Sequence, residues 1–248
     1  MRLTVLGSSP SWPNPGEASS GYLVETAGGS LLLDCGNGVL GRLRALGDTG
    51  PTAIVLSHLD PDHVSDLWSV MFGVTYGPLD WSATTTLYAP PGGRVVLAEV
   101  LDAFGLTLAH MERAVAVREY RTTEPLAVAG ATLRFARTRH SAHSYATRIE
   151  EGERTLVYTG DAALTSALVE HARGADLLLA EATFALQQER PDAVHMTARQ
   201  TAGAARDAEA GRLVLTHLAA EDRESSLAAA QTIFANTDLA LPGAVFDI

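Results

Sequence analysis

The sequence predicts an α+β fold, with two sheets packed together and helices outside. Three observations carry this. Each half of the chain opens with strands and continues with helices, which is neither a βαβ alternation nor an all-β pattern. No internal repeat or low-complexity linker divides the chain, and its Pro/Gly/Ser-rich stretches (7–21, 50–51 and 90–93) are short. The length of 248 residues, 46% of them hydrophobic, suffices to bury a substantial core. Residues 1–248 are therefore expected to form one domain.

The elements follow in order. Arg2 to Leu6 reads as a strand, and Gly7-Ser8-Ser9-Pro10 opens a loop. Tyr22 to Thr26 and Ser30 to Asp34 read as strands joined by a Gly28-Gly29 turn, a hairpin pattern. Residues 38–46 look helical and are closed by Gly47. Ala53 to Leu56 is a short buried strand. Residues 63–76 form one expected helix, with Val64, Leu67, Trp68 and Met71 at helical spacing. Leu87 to Ala89 is a strand and Val95 to Phe104 a helix. Strands are expected at 115–120, 126–128, 132–138, 145–149 and 155–158. Helix 164–172, strand 177–180, helix 197–209, strand 213–216 and helix 221–233 complete the pattern.

Charge and composition exclude several classes. Lys+Arg is 18 and Asp+Glu is 29, a formal net charge of −11. That balance disfavours a protein held on nucleic acid or on an anionic membrane surface by overall charge. A small anionic substrate at a cationic metal centre stays compatible, because local charge governs such a site. One cysteine rules out an intramolecular disulfide framework and a cysteine-only metal site, and suits a reducing compartment. The N-terminus, MRLTVLGSSPSW, lacks the basic start and apolar centre of a secretion signal, and no apolar run is long enough to span a bilayer. A soluble cytoplasmic protein is expected.

The chemistry concentrates in SHLDPDH, residues 57–63, between a short apolar strand and a helix. In an extended stretch residues i and i+2 point the same way, so His58 and Asp60 could chelate one ion. Asp62 and His63, at the turn into the helix, could reach a second. Imidazole and carboxylate suit zinc, iron and manganese. The plainer alternative is a polar loop with Asp62 as helix N-cap. His140, Asp161 and His217 each follow an apolar strand at its C-terminal end, where open sheets place functional groups. Singly, each is more simply a packed, capping or turn residue. In this order they point together to a metal centre.

This constellation resembles the metallo-β-lactamase-fold hydrolases, whose signature is HxHxDH, a distant His, an Asp and a last His. The resemblance covers nearly the whole chain, from the opening strand and Gly7 loop to His217 and the helix after it. It implies a four-layer αββα sandwich. It also implies that His58, Asp60 and His140 hold a first metal, that Asp62, His63 and His217 hold a second, and that Asp161 bridges them. DCGNG, residues 34–38, resembles the family's Asp-Cys-Gly turn and makes Asp34 a supporting residue; Cys35 reads as a small buried hydrophobe. In HSAHSYATR, His140 is preferred as third ligand because it lies five residues before a Tyr. His143 stands as a neighbouring polar residue or alternative ligand.

AEATF (180–184) and HMTARQTA (195–202) look like the ribonuclease Z branch. There Glu181 would orient and charge-stabilise His195, and His195 would contact the scissile phosphate or protonate the leaving oxygen. The bland alternative makes Glu181 a loop carboxylate and Thr197 a helix cap. Three departures stand out. Asp60 replaces the usual His, which adds negative charge and either shifts preference toward manganese or iron or weakens the first metal position. Ala180 replaces the His of HEATF. The stretch from His140 to Asp161 has room for a hairpin and none for a tRNA-binding arm. Arg137, Arg139 and Arg148 flank His140 and either attract phosphate or form a solvated strand edge.

The resulting expectation is a metal-dependent hydrolase with catalytic Asp62, His195 and Glu181. It would hold two divalent ions, zinc first and manganese or iron as alternatives. The substrate would be a small anionic phosphodiester such as a cyclic nucleotide, with tRNA disfavoured. The alternatives are a di-iron or di-manganese redox protein and a specialised or non-catalytic member of the same fold. A homodimer is an implication of the resemblance.

Overall fold

The computed structural model describes residues 1–47, 50–81, 85–187 and 192–248. Two mixed sheets run through it, each of seven strands among these residues. The first has the order β14 (Val245–Asp247), β1 (Arg2–Gly7), β2 (Gly21–Thr26), β3 (Gly29–Leu33), β4 (Ala53–Val55), β5 (Thr86–Ala89) and β6 (Ala116–Glu119). The second has the order β13 (Thr237–Leu239), β12 (Leu213–Thr216), β11 (Leu177–Glu181), β10 (Arg154–Tyr158), β9 (Tyr145–Glu151), β8 (Ala131–Arg137) and β7 (Leu126–Val128). In each sheet one half is antiparallel and the other parallel: β3 to β6 in the first, β10 to β13 in the second.

Side-chain alternation explains the layers. Successive residues of a strand point to opposite faces. Leu31 and Leu33 enter the core between the sheets, where they meet Leu133, Ile149, Leu156 and Leu179. Leu32 points outward, onto a second core with Val39, Leu67, Met71 and Leu97. Those residues come from α1 (Val39–Leu46), α3 (Leu67–Thr75) and α4 (Gly93–Ala103), beside α5 (Leu108–Ala114). In the second sheet Leu177 and Leu179 turn inward, while Leu178 packs on Ala198, Ala202 and Ala230. These lie on α7 (Ala198–Asp207) and α8 (Arg223–Gln231); α6 (Ser166–His171) packs on the same outer side. Burial on both faces is why the parallel strands read as continuous apolar runs. The result is the expected αββα sandwich.

Four details differ from the sequence reading. The helix expected over 63–76 is two: α2 (Pro61–Val64) and α3, parted at Ser65-Asp66. The Asp66 carboxylate accepts from Leu40 N at 2.8 Å and Asp66 N donates to Cys35 O at 3.0 Å, so this turn is tied to the Asp34–Leu40 segment instead of continuing as helix. α5 was not expected; Thr107 and His110 form its capping box. The last expected helix opens as a 3-10 turn, Ala220–Asp222, before α8. β13 and β14 complete the far edges of the sheets. Among the described residues no helix is long and apolar enough to cross a membrane.

Candidate metal centre

The parallel strands of both sheets end at one place. Asp34 follows β3, the Ser57–Asp60 loop follows β4, Asp161 follows β10, Glu181 ends β11 and His217 follows β12. Two glycines permit the close approach. A Cβ on Gly36 would lie 2.0 Å from Asp62 O, and Gly160, at φ +55°, would place one 2.8 Å from Ser57 Cβ. The loop 138–144 brings in His140. It is closed by Thr138 N to Ser144 O, and Thr138 Oγ1 donates to Asp161 O at 2.9 Å.

Seven side chains converge. Ligand atoms of Asp62, His63, Asp161 and His217 lie within 4.8 Å of one another, as do those of His58, His140 and Asp161. Asp161 belongs to both groups. Its Oδ1 is 3.4 Å from His63 Nε2 and 3.8 Å from His217 Nε2, while its Oδ2 is 3.8 Å from His58 Nε2 and 4.0 Å from His140 Nε2. Asp62 Oδ2 adds contacts of 3.0 Å to His217 Nε2 and 3.3 Å to His63 Nε2. Asp60 Oδ2 lies 3.6 Å from His58 Nε2 and 3.3 Å from His140 Nε2. Its side chain is 38% exposed against 8% or less for the other six, so Asp60 forms the open edge. The helix begins at Pro61 and not after Asp62, and neither carboxylate caps it.

The histidines are oriented from behind. His63 Nδ1 donates to Asp34 Oδ2 at 2.7 Å. His58 Nδ1 donates to Ser57 Oγ at 2.9 Å, which donates in turn to Asp34 Oδ2 at 2.7 Å. His217 Nδ1 donates to Thr183 Oγ1 at 2.7 Å, which donates to Glu181 Oε2 at 2.8 Å. His140 Nδ1 donates to Val194 O at 3.2 Å. Every Nδ1 is occupied, so every Nε2 lone pair faces the cluster. His58 Nε2 and His63 Nε2 are buried and make no hydrogen bond within the protein. Buried unpaired acceptors are costly, and a cation would satisfy them. The residues therefore fit divalent metal ions.

The carboxylates and imidazoles hold one another's charge: burial lowers the pKa of His63, His140 and His217, but the neighbouring carboxylates outweigh it and raise all three. Burial, then the neighbouring His63, hold His58 below its ordinary range, in the neutral form that ligates. Hydrogen bonds from His140 and His58 hold the Asp60 carboxyl well below its usual range. Burial works against ionisation of Asp161 and Asp62, but the surrounding histidines outweigh it and both are held low.

His195 lies over this cluster. Its ring centroid is 4.9 Å from that of His140 and 6.0 Å from that of His217. His195 Nδ1 donates to Glu181 Oε1 at 2.8 Å. Glu181 is buried and also accepts from Ala162 N, Thr183 N and Thr183 Oγ1. Burial lowers the His195 pKa, but the Glu181 bond and charge prevail and it is raised.

The structure thus brings His58, Asp60, Asp62, His63, His140, Asp161, His217, His195, Glu181 and Asp34 together. His143 belongs to neither ligand group and is exposed. Arg148 points elsewhere, to Glu150 and the carbonyls of His171 and Arg173. Cys35 is a buried core residue. Between His140 and Asp161 lie only the β9–β10 hairpin and its flanks. Sequence reasoning missed Ser57, Thr183 and Tyr158, whose hydroxyl donates to Asp34 Oδ2 at 2.7 Å. Ser57 and Thr183 each sit within the motifs that were read, but a hydroxyl there carries no pattern of its own.

Residues 30–218 match the family model described as beta-lactamase superfamily domain. The chain belongs to the metallo-β-lactamase superfamily. It is 34% identical over 219 residues to the probable metallo-hydrolase YhfI of Bacillus subtilis, covering 88% of this chain and 87% of that one. The solved structure of YhfI superposes with a TM-score of 0.87, covering 99% of both chains. A ribonuclease Z of Mycobacterium bovis is 31% identical over 240 residues, covering 88% of this chain and 85% of that one. A diphosphatase of the PhnP family shares the metallo-β-lactamase fold at a TM-score of 0.80 and 21% identity, covering 100% of this chain and 97% of that one. Within the superfamily the chain is a metallo-hydrolase.

Proposed function

We propose that the protein is a metal-dependent phosphodiesterase acting on a small phosphodiester. The supporting observation is the His195–Glu181 pair above the ligand cluster. A dinuclear centre alone suits many hydrolyses, but departure of an alkoxide needs a proton donor, and a carboxylate-backed imidazole is one. A ribonuclease Z among the relatives supports the same reading.

In this reading His58, Asp60 and His140 would hold one cation and Asp62, His63 and His217 the other, with Asp161 available to both. Two divalent ions there would supply Lewis acidity and a water acidified toward neutral pH. The two cations would set positive charge locally where the oxygens of an anionic diester bind. Asp62 accepts a hydrogen bond from the attacking water and aims it. Nδ1 of His195 is taken by Glu181, so Nε2 faces the substrate and delivers the proton to the leaving oxygen. Asp34 fixes the rings of His63 and, through Ser57, His58.

The test is hydrolysis of bis(p-nitrophenyl) phosphate by zinc- and manganese-loaded protein, with Asp62→Ala alongside. Turnover that disappears in the variant is expected. Full metal occupancy with no turnover of this ester or of cyclic nucleotides would reject the reading. A second reading, redox chemistry at a di-iron centre, draws on the third carboxylate, Asp60. Its mark would be oxidation of the iron-loaded protein by dioxygen, followed by absorption spectroscopy.

A further inference from the structure

A cavity of about 560 Å³ opens beside the Asp60 edge of the cluster. That lies within the roughly 300–1,000 Å³ of sites that take small organic ligands. One wall is the loop carrying His140, through Ala142 and His143; another is the start of α4. Its apolar surface comes from Leu59, Pro90, Val95 and Val96. Val95 and Val96 are 61% and 40% exposed and offer the cavity an apolar wall.

The charge of the cavity is one-sided. Glu99 gives it a carboxylate outside the ligand cluster, Asp60 borders it as a member of that cluster, and among its described lining residues none is Lys or Arg. Arg94, next to it in sequence, is engaged with Val117 O and Glu112. The first turn of α4 offers an anion nothing, because its amides are occupied: Gly93 N by Pro90 O, Arg94 N by Glu119 Oε1 and Val95 N by Gly92 O.

We infer that this cavity is a specificity subsite for an uncharged, apolar or aromatic organic group of the ester, and that it discriminates against substrates whose organic group carries a further phosphate. The inference rests on the phosphodiesterase reading for its substrate and on the cavity alone for its selectivity. Asp60 links the two, since the same carboxylate faces His58 and His140 and borders the cavity.

The experiment compares thymidine 5′-(p-nitrophenyl phosphate) with the same ester bearing a 3′-phosphate, in zinc-loaded protein. The leaving group is common to both. The uncharged nucleoside ester is expected to have the higher kcat/KM by about tenfold or more, the order set by one like-charge contact near a protein surface. Val96→Lys, and separately Glu99→Gln, should narrow that ratio with zinc content unchanged. A ratio near one, or one that neither variant moves, overturns the inference. A second readout needs no turnover: thymidine should shift the Val95 and Val96 methyl resonances of the zinc-loaded protein, and absence of a shift overturns it equally. Methyl shifts without hydrolysis of either ester would uphold the subsite and reject the phosphodiesterase reading.

Discussion

The hydroxyl of Tyr158, on the second sheet, donates to the carboxylate of Asp34, at the end of a strand of the first, at 2.7 Å. This bond joins the two sheets directly beneath the ligand cluster. Burial, then the charge of Asp34, push the Tyr158 phenol well above its ordinary range, so it remains a donor at all ordinary pH. Tyr158→Phe should cost about 1.5–3 kcal/mol, the range for a hydrogen bond to a charged group. Urea unfolding midpoints check it. Asp34→Asn should also weaken metal binding by about 10–100-fold, because Asp34 orients His63 directly and His58 through Ser57.

His195 and Glu181 should separate in the metal analysis. His195→Asn is expected to lower kcat by about 10²–10⁴-fold on a diester with an alkoxide leaving group, the usual worth of a general acid, with both metals retained. Glu181→Gln should lose activity and metal together, since Glu181 also holds His217 through Thr183. Metal stoichiometry by elemental analysis, beside kcat, distinguishes the two. Equal metal loss in both variants would make His195 a structural residue.

Asp60→His should move metal preference. Asp60 Oδ2 stands 3.3 Å from His140 Nε2 at the open edge of the cluster. Replacing this hard oxygen with imidazole is expected to raise affinity for zinc relative to manganese by at least about tenfold, given that even changes behind a ligand move affinity that far. Competition with a chromogenic chelator measures it.

Away from the centre, Glu17 accepts from Arg223 Nη1 at 2.8 Å and also from Nη2, pinning the loop after β1 to α8. The Arg223 bond holds the Glu17 carboxyl below its ordinary value, against a smaller opposing effect of burial. A lowered folded-state pKa means that the unfolded chain binds the proton more readily. The contribution is thus complete above the unfolded value of about 4.3 and is lost as pH falls through the folded value. Glu17→Gln should cost about 1 kcal/mol at pH 7, the upper range for a partly exposed pair. The difference from the parent protein should shrink in acid. Thermal melts across pH 3–7 follow it.

Much of this was legible in the sequence because periodicity and metal chemistry are local. The Gly28-Gly29 hairpin, the apolar runs ending in Asp161 and His217, and the dense SHLDPDH motif state their roles in adjacent residues. What was illegible depends on partners far away. The break at Asp66 is made by Leu40 and Cys35. β14 is a strand because β1 offers it an edge, through register Arg2 to Asp247. α5 begins with a capping box built on His110, where Glu or Gln is the usual partner. His140, and not His143, lies against the cluster, in a loop whose Thr138 hydroxyl donates to Asp161 O.

Asp34 and His217 both sit at φ +58°, a left-handed backbone that L side chains other than Asn and Asp seldom adopt. Such a conformation costs roughly 1–2 kcal/mol for a residue with a Cβ. His217, on which the centre depends, is thus maintained against the preference of the chain itself, whereas Asp34 is of a type that tolerates this backbone. A lineage selected only for heat resistance would gain from Gly or Asn at position 217, and would lose its chemistry before it lost its shape.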